Sequence, residues 1–142
     1  MLARNYNPLL IKLLKKDHQQ LFAIYGDILN LLKKNANFTE IQNLLDELKV
    51  VLSMHIDFEN SQLYSYLKNI YKEDKAKLSF LNGADRDMGE IVDIALRFID
   101  KFSEYEVFIK QKKEFEEELK LIGDVLVDRV GFEENRLYTL YN

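Results

Sequence analysis

The chain has 142 residues, 47% of them hydrophobic, which is enough for one domain with a substantial core and short for two. A formal charge of −4 argues against wrapping nucleic acid, whose phosphates need a basic face, and the absence of cysteine excludes disulfides, thiolate metal sites and thiol nucleophiles. One proline and five glycines are too few for a strand-and-turn architecture, so the predicted class is all-α.

Asn7-Pro8 reads as an N-cap and first helical residue, and Leu14, His18, Leu21, Tyr25, Ile28 and Leu32 then recur at spacings of three and four, predicting helix A as far as Lys34. Thr39-Glu40-Ile41-Gln42 has the form of a capping box and opens helix B, whose stripe is Leu48, Leu52, His55, Glu59, Leu63, Tyr66 and Ile70. Lys72 to Gly83 is expected to be a short turn and a loop, stopped by Asn82-Gly83, before helix C with Met88, Val92, Ala95, Ile99 and Phe102. A break is expected within the charged stretch from Ser103 to Lys113. Helix D then carries Phe115, Leu119, Ile122, Leu126, Arg129, Glu133, Leu137 and Leu140.

Four stripes with short connections predict an antiparallel, up-down-up-down four-helix bundle, a single domain over residues 1–142 with no internal repeat. The N-terminus lacks a basic region followed by an apolar run, and no apolar stretch approaches the roughly 18 residues that span a bilayer. A cytoplasmic protein with no membrane partner is expected. Lysine clusters such as Lys33-Lys34 read as solvated helix ends that complement the helix dipole.

The residues that interrupt the stripes carry the chemical information, because a buried ionisable group costs several kcal/mol unless it is paired or metal-bound. They are His18 on helix A, His55 and Glu59 on helix B, and Arg129 and Glu133 on helix D; His18 and His55 are the only histidines. Each histidine lies about 16 residues from the A-B connection, so the helical rise puts both at one level, roughly 24 Å from it. His55 and Glu59 share a face at a spacing of four, as do Arg129 and Glu133. Two imidazoles and two carboxylates make a plausible divalent-metal set; the alternative is a buried polar network. Tyr25 and Met88 are placed around this layer, the Tyr25 hydroxyl as a partner for one buried group. Tyr64, Tyr66, Tyr138 and Tyr141 are expected to lie beyond it and to close the bundle floor or form a partner surface.

Leu14-Lys15-Lys16-Asp17-His18, His55-Ile56-Asp57-Phe58-Glu59 with Leu63-Tyr64, and Glu133-Glu134 with Leu137-Tyr138 resemble the hemerythrin-like, or HHE cation-binding, domain over nearly the whole chain. The resemblance implies an up-down four-helix bundle built around a non-haem di-iron centre that binds dioxygen, senses iron or oxygen, or handles reactive oxygen and nitrogen species. His18, His55, Glu59 and Glu133 match the family's ligand positions. Met88 and Arg129 stand where the family carries histidines, so the di-iron set is incomplete and one half of the site remains.

A weaker resemblance runs to the regulator-of-sigma-D family of anti-sigma factors, four-helix bundles with His-x-x-x-Glu on one helix and Arg-x-x-x-Glu on the last, here His55 to Glu59 and Arg129 to Glu133. It implies a protein partner such as a sigma factor and no metal. Arg129 within about 6 Å of a divalent ion would be repelled by on the order of 5 kcal/mol at an effective dielectric of 20. The favoured expectation is therefore a metal-free regulatory bundle in which Arg129 replaces the metal and bridges Glu133 and Glu59. Against it stands a single iron, or another divalent cation, on His18, His55, Glu59 and Glu133 with Arg129 swung aside. No phosphate loop or nucleophile arrangement argues for an enzyme.

Overall fold

The computed structural model describes residues 6–142, and helices account for almost all of them. Helix α1 (Leu10–Lys33) follows Asn7, whose Oδ1 accepts from the Leu9 amide at 3.0 Å, so the predicted capping residue works one turn ahead of the helix proper. The helix stops because Asn35 adopts φ 52°, and the Ala36 and Asn35 amides fold back onto the carbonyls of Leu31 and Leu32. Helix α2 (Phe38–Phe58) is capped by Asn37, which accepts from the Glu40 amide at 2.9 Å. The capping box expected at Thr39 is thus displaced by two residues, Asn37 taking the N-cap with Glu40 three residues on.

Helix α2 continues through a π-helical segment, Glu59–Tyr64, into α3 (Ser65–Ile70). Helix α4 (Lys75–Lys101) starts earlier than expected: Asp74 caps it, accepting from the Lys77 amide at 3.1 Å, and Asn82-Gly83 lies inside it rather than in a loop. The cap and the buried Leu81 and Ala84 outweigh the roughly 1 kcal/mol that a helical glycine costs. The break expected after helix C is real and holds a short α5 (Tyr105–Lys110) that buries Phe108. Helix α6 (Lys112–Phe132) passes into a second π-helical segment, Glu133–Leu137, and a last turn, Tyr138–Leu140.

The helices form a bundle whose neighbours run in opposite directions, seen in pairs whose numbers move oppositely along the two partners. Between α2–α3 and α4 these are Gln42 with Phe102 and Lys68 with Asp85; between α4 and α6 they are Ala84 with Arg129 and Lys101 with Glu118. The short α5 makes the bundle depart from a strict four-helix plan. Two apolar clusters fill the interior. The larger contains Leu21, Leu52, Met88 and Leu126; the smaller contains Leu14, Leu63, Ala84 and Leu137. Every long helix thus passes from one cluster to the other, and the polar residues occupy the step between them.

Candidate metal centre

His18, His55, Glu59, Arg129 and Glu133 are all buried, at 1 to 7% exposure. Position along the helices explains the assembly: His18 lies between Leu14 and Leu21, His55 and Glu59 between Leu52 and Leu63, and Arg129 and Glu133 between Leu126 and Leu137. One ligand atom from each of His18, His55, Glu59 and Glu133 lies within 4.8 Å of every other. The four form a buried group that could hold a metal ion.

Both imidazoles are oriented from outside. His18 Nδ1 faces Glu134 Oε2 at 2.7 Å and His55 Nδ1 faces Asp17 Oδ2 at 3.0 Å, leaving both Nε2 atoms pointed inward. A carboxylate on the outer nitrogen is the arrangement that fixes the tautomer and ring angle of a metal-ligating histidine. On the inner side, His18 Nε2 is 2.8 Å from Glu133 Oε1, while His55 Nε2 has Glu59 Oε2 at 3.4 Å and Glu133 Oε1 at 3.8 Å without a well-formed hydrogen bond to either. His55 Nε2 and Glu59 Oε1 are buried side-chain atoms without a hydrogen-bond partner. Orphaned atoms of this kind cost on the order of 1–3 kcal/mol each, more when charged.

Arg129 is where the expectation needs correcting. Its Nε donates to Glu133 Oε2 at 3.1 Å, but Nη2 donates to the Tyr64 hydroxyl and the Ala84 carbonyl, each at 3.1 Å, and not to Glu59. The guanidinium lies over the Phe132 ring at 4.8 Å. It therefore neutralises one edge of Glu133 from the α4 side and does not bridge the two glutamates.

The phenol that bonds to Glu59 is Tyr138. Its hydroxyl lies 2.9 Å from Glu59 Oε2, 3.2 Å from Glu133 Oε1 and 3.2 Å from His18 Nε2. Tyr138 and Tyr64 thus belong to the polar layer rather than beyond it; Tyr66 and Tyr141 pack together outside it, as expected. Tyr25 does not reach the layer. Its ring and hydroxyl lie against Gly123 of α6, where any Cβ would collide with them. Met88 packs in the larger apolar cluster, where it lends the layer no polar atom.

Electrostatics follow from this geometry. Burial by itself would depress the pKa of His55, but Glu133, Glu59 and Asp17 outweigh it and raise the value to about 10. His18 is raised in the same way, against burial, by Glu133 and Glu134. Burial would raise Glu133, yet His18, His55 and Arg129 hold it well below the usual carboxylate range. Glu59 moves up, because burial and the nearby Glu133 charge outweigh His55. Burial and the two glutamates also push the Tyr138 phenol well up.

A short repeated pattern underlies the layer. His55-x-x-x-Glu59-x-x-x-Leu63-Tyr64 and Arg129-x-x-x-Glu133-x-x-x-Leu137-Tyr138 have the same spacing, and each glutamate opens a π-helical segment. Glutamate, leucine and tyrosine are buried together in both copies, the second tyrosine in the turn that follows its π segment. Each tyrosine then reaches across to the other copy, Tyr64 to Arg129 and Tyr138 to Glu59.

A family model described as the hemerythrin HHE cation-binding domain matches residues 9–141. Comparison with curated proteins and with solved structures returns no match.

Proposed function

Because the chain belongs to the hemerythrin HHE cation-binding domain family, we propose that it holds one divalent metal ion, iron by analogy with the resemblance, on His18, His55, Glu59 and Glu133, and that it acts as a binding or sensing protein. The observation that carries this reading is the pair of orphaned buried atoms, His55 Nε2 and Glu59 Oε1, beside two imidazoles already oriented through their outer nitrogens. A cation bound by the four residues would give such atoms a partner. The mixed nitrogen and carboxylate donors suit iron and its divalent neighbours.

The side chains divide the work. Asp17 and Glu134 hold the imidazoles with Nε2 inward, and their partial exposure lets protons released on metal binding pass to solvent. Arg129 takes the place of the second half of a two-metal site: tied to Tyr64 and Ala84, it neutralises Glu133 without entering the space between the histidines. Bound iron would supply an open coordination position and a one-electron donor toward a small oxidant. A surface cleft of about 380 Å³ between α1 and α2, lined by Leu13, Val51, Met54 and Phe58, reaches Asp17 and His55 and offers a small molecule a way in. The ligand side chains are too deeply buried for a larger substrate, which favours sensing or binding over turnover.

Anaerobic titration with ferrous ion, followed by gel filtration and elemental analysis, tests the reading. About one equivalent should remain bound, and less than about 0.1 would overturn it in favour of the metal-free bundle, in which protonated histidines and Arg129 balance the carboxylates.

A further inference from the structure

We propose that Tyr138 is a fifth ligand of this centre, its phenolate oxygen bonding the iron once it is ferric, an assignment that rests on the metal reading above. Three observations lead to it. First, the hydroxyl touches three of the four prospective ligand residues, 2.9 Å from Glu59 Oε2 and 3.2 Å from both Glu133 Oε1 and His18 Nε2. These are hydrogen-bond distances in the layer as it stands, and they place the oxygen against three of the four residues proposed to hold the ion. His18 Nε2 and Glu133 Oε1 are themselves 2.8 Å apart.

Second, the ring is held. Tyr138 is 3% exposed and stacks on His18 at an interplanar angle of 8°, so the oxygen is aimed into the layer without depending on a mobile side chain. Third, its counterpart is occupied otherwise. Tyr64 stands at the equivalent place in the repeated pattern, but its hydroxyl accepts from Arg129. The two tyrosines mark the two halves of the layer: one beside the metal set, one beside the guanidinium that stands in for a metal. An anionic oxygen donor suits the harder ferric ion, and tyrosinate is an established type of protein ligand to iron.

With iron bound, ferricyanide would take up the one electron that ferrous iron gives, and the Tyr138 phenol would release its proton to water as its oxygen joined the ligand set.

The test uses the full chain loaded anaerobically with ferrous ammonium sulfate and then oxidised with one equivalent of ferricyanide. Wild-type protein should develop an intense visible phenolate-to-iron charge-transfer band, with tyrosine ring vibrations enhanced in the resonance Raman spectrum. Tyr138→Phe should retain iron by elemental analysis and lose the band, and Tyr64→Phe should keep both. Should Tyr138→Phe not fold, 3-fluorotyrosine placed at position 138 preserves the hydroxyl and should shift the band. Bound iron without the band, a band that survives Tyr138→Phe, or one unmoved by the fluorinated residue overturns the ligand assignment and leaves the metal reading standing. No bound iron in wild type overturns both.

Discussion

Glu59 has a buried carboxylate oxygen with no hydrogen-bond donor, so its worth to the fold and its worth to the site have opposite signs. Glu59→Gln removes a charge that burial disfavours and also removes a proposed ligand. The metal-free variant should melt at or above the wild-type temperature by calorimetry, while ferrous affinity falls at least about 100-fold. A lower melting temperature with unchanged affinity would show that Glu59 serves the packing alone. Asp17 acts one bond further out: Asp17→Asn keeps an acceptor for His55 Nδ1 but not its charge, and iron affinity should drop about 10- to 100-fold in the same titration. The five interrupting residues were legible in the sequence because a period of 3.6 places each on an apolar stripe. What was not legible was the set of partners. Tyr138 and Tyr64 fall beyond the layer if every turn is α-helical, and only the π segments bring them back to Glu59 and Arg129. Tyr25 misled for the converse reason, since its stripe position ignores the space opened by Gly123 on α6.

At the scale of elements, the boundaries reflect competition between neighbouring caps. Thr39 and Asn37 both precede the α2 stripe, and the structure uses Asn37. Asn37→Ala should therefore cost about 1 kcal/mol in urea denaturation and Thr39→Ala only a few tenths, and the reverse order would restore the capping box at Thr39. Helix α4 shows a similar competition. Asn82-Gly83 reads as a stop from local propensity, but the Asp74 cap and the burial of Leu81 and Ala84 carry the helix through it. The π segments leave no mark on the apolar stripes, because they add a residue to a turn without altering which residue types are apolar. Their signal was the doubled spacing of glutamate, leucine and tyrosine.

For the whole molecule, the all-helical bundle was legible because its stripes are long and its connections short. Among the described residues no helix is long and apolar enough to cross a membrane. The polar layer between two apolar clusters makes stability depend on pH in opposite senses with and without metal. In the metal-free protein the folded-state pKa of His55, about 10, exceeds its unfolded value of 6.5. Its charging thus contributes stability that is complete below pH 6.5 and is lost as pH rises toward 10, and His18 adds to the same trend. On the acid side the depressed Glu133 works the other way, its contribution disappearing as pH falls below the ordinary carboxylate range. Metal needs neutral imidazoles, so the stabilisation it brings should grow through the window in which metal-free stability declines. Melting curves with and without ferrous ion, recorded anaerobically from pH 6.5 to 9, should separate as pH rises; curves that stay parallel would mean that the histidines do not bind the ion.

The resemblance to a two-metal family makes stoichiometry and position the central issue. Crystals of the iron-loaded protein, measured on both sides of the iron absorption edge, locate each ion by anomalous scattering. A single peak is expected between His18, His55, Glu59 and Glu133, within bonding distance of His55 Nε2 and a Glu59 carboxylate oxygen, with Arg129 still paired to Glu133. No peak there, or a second peak on the Arg129 side of Glu133, would contradict the account.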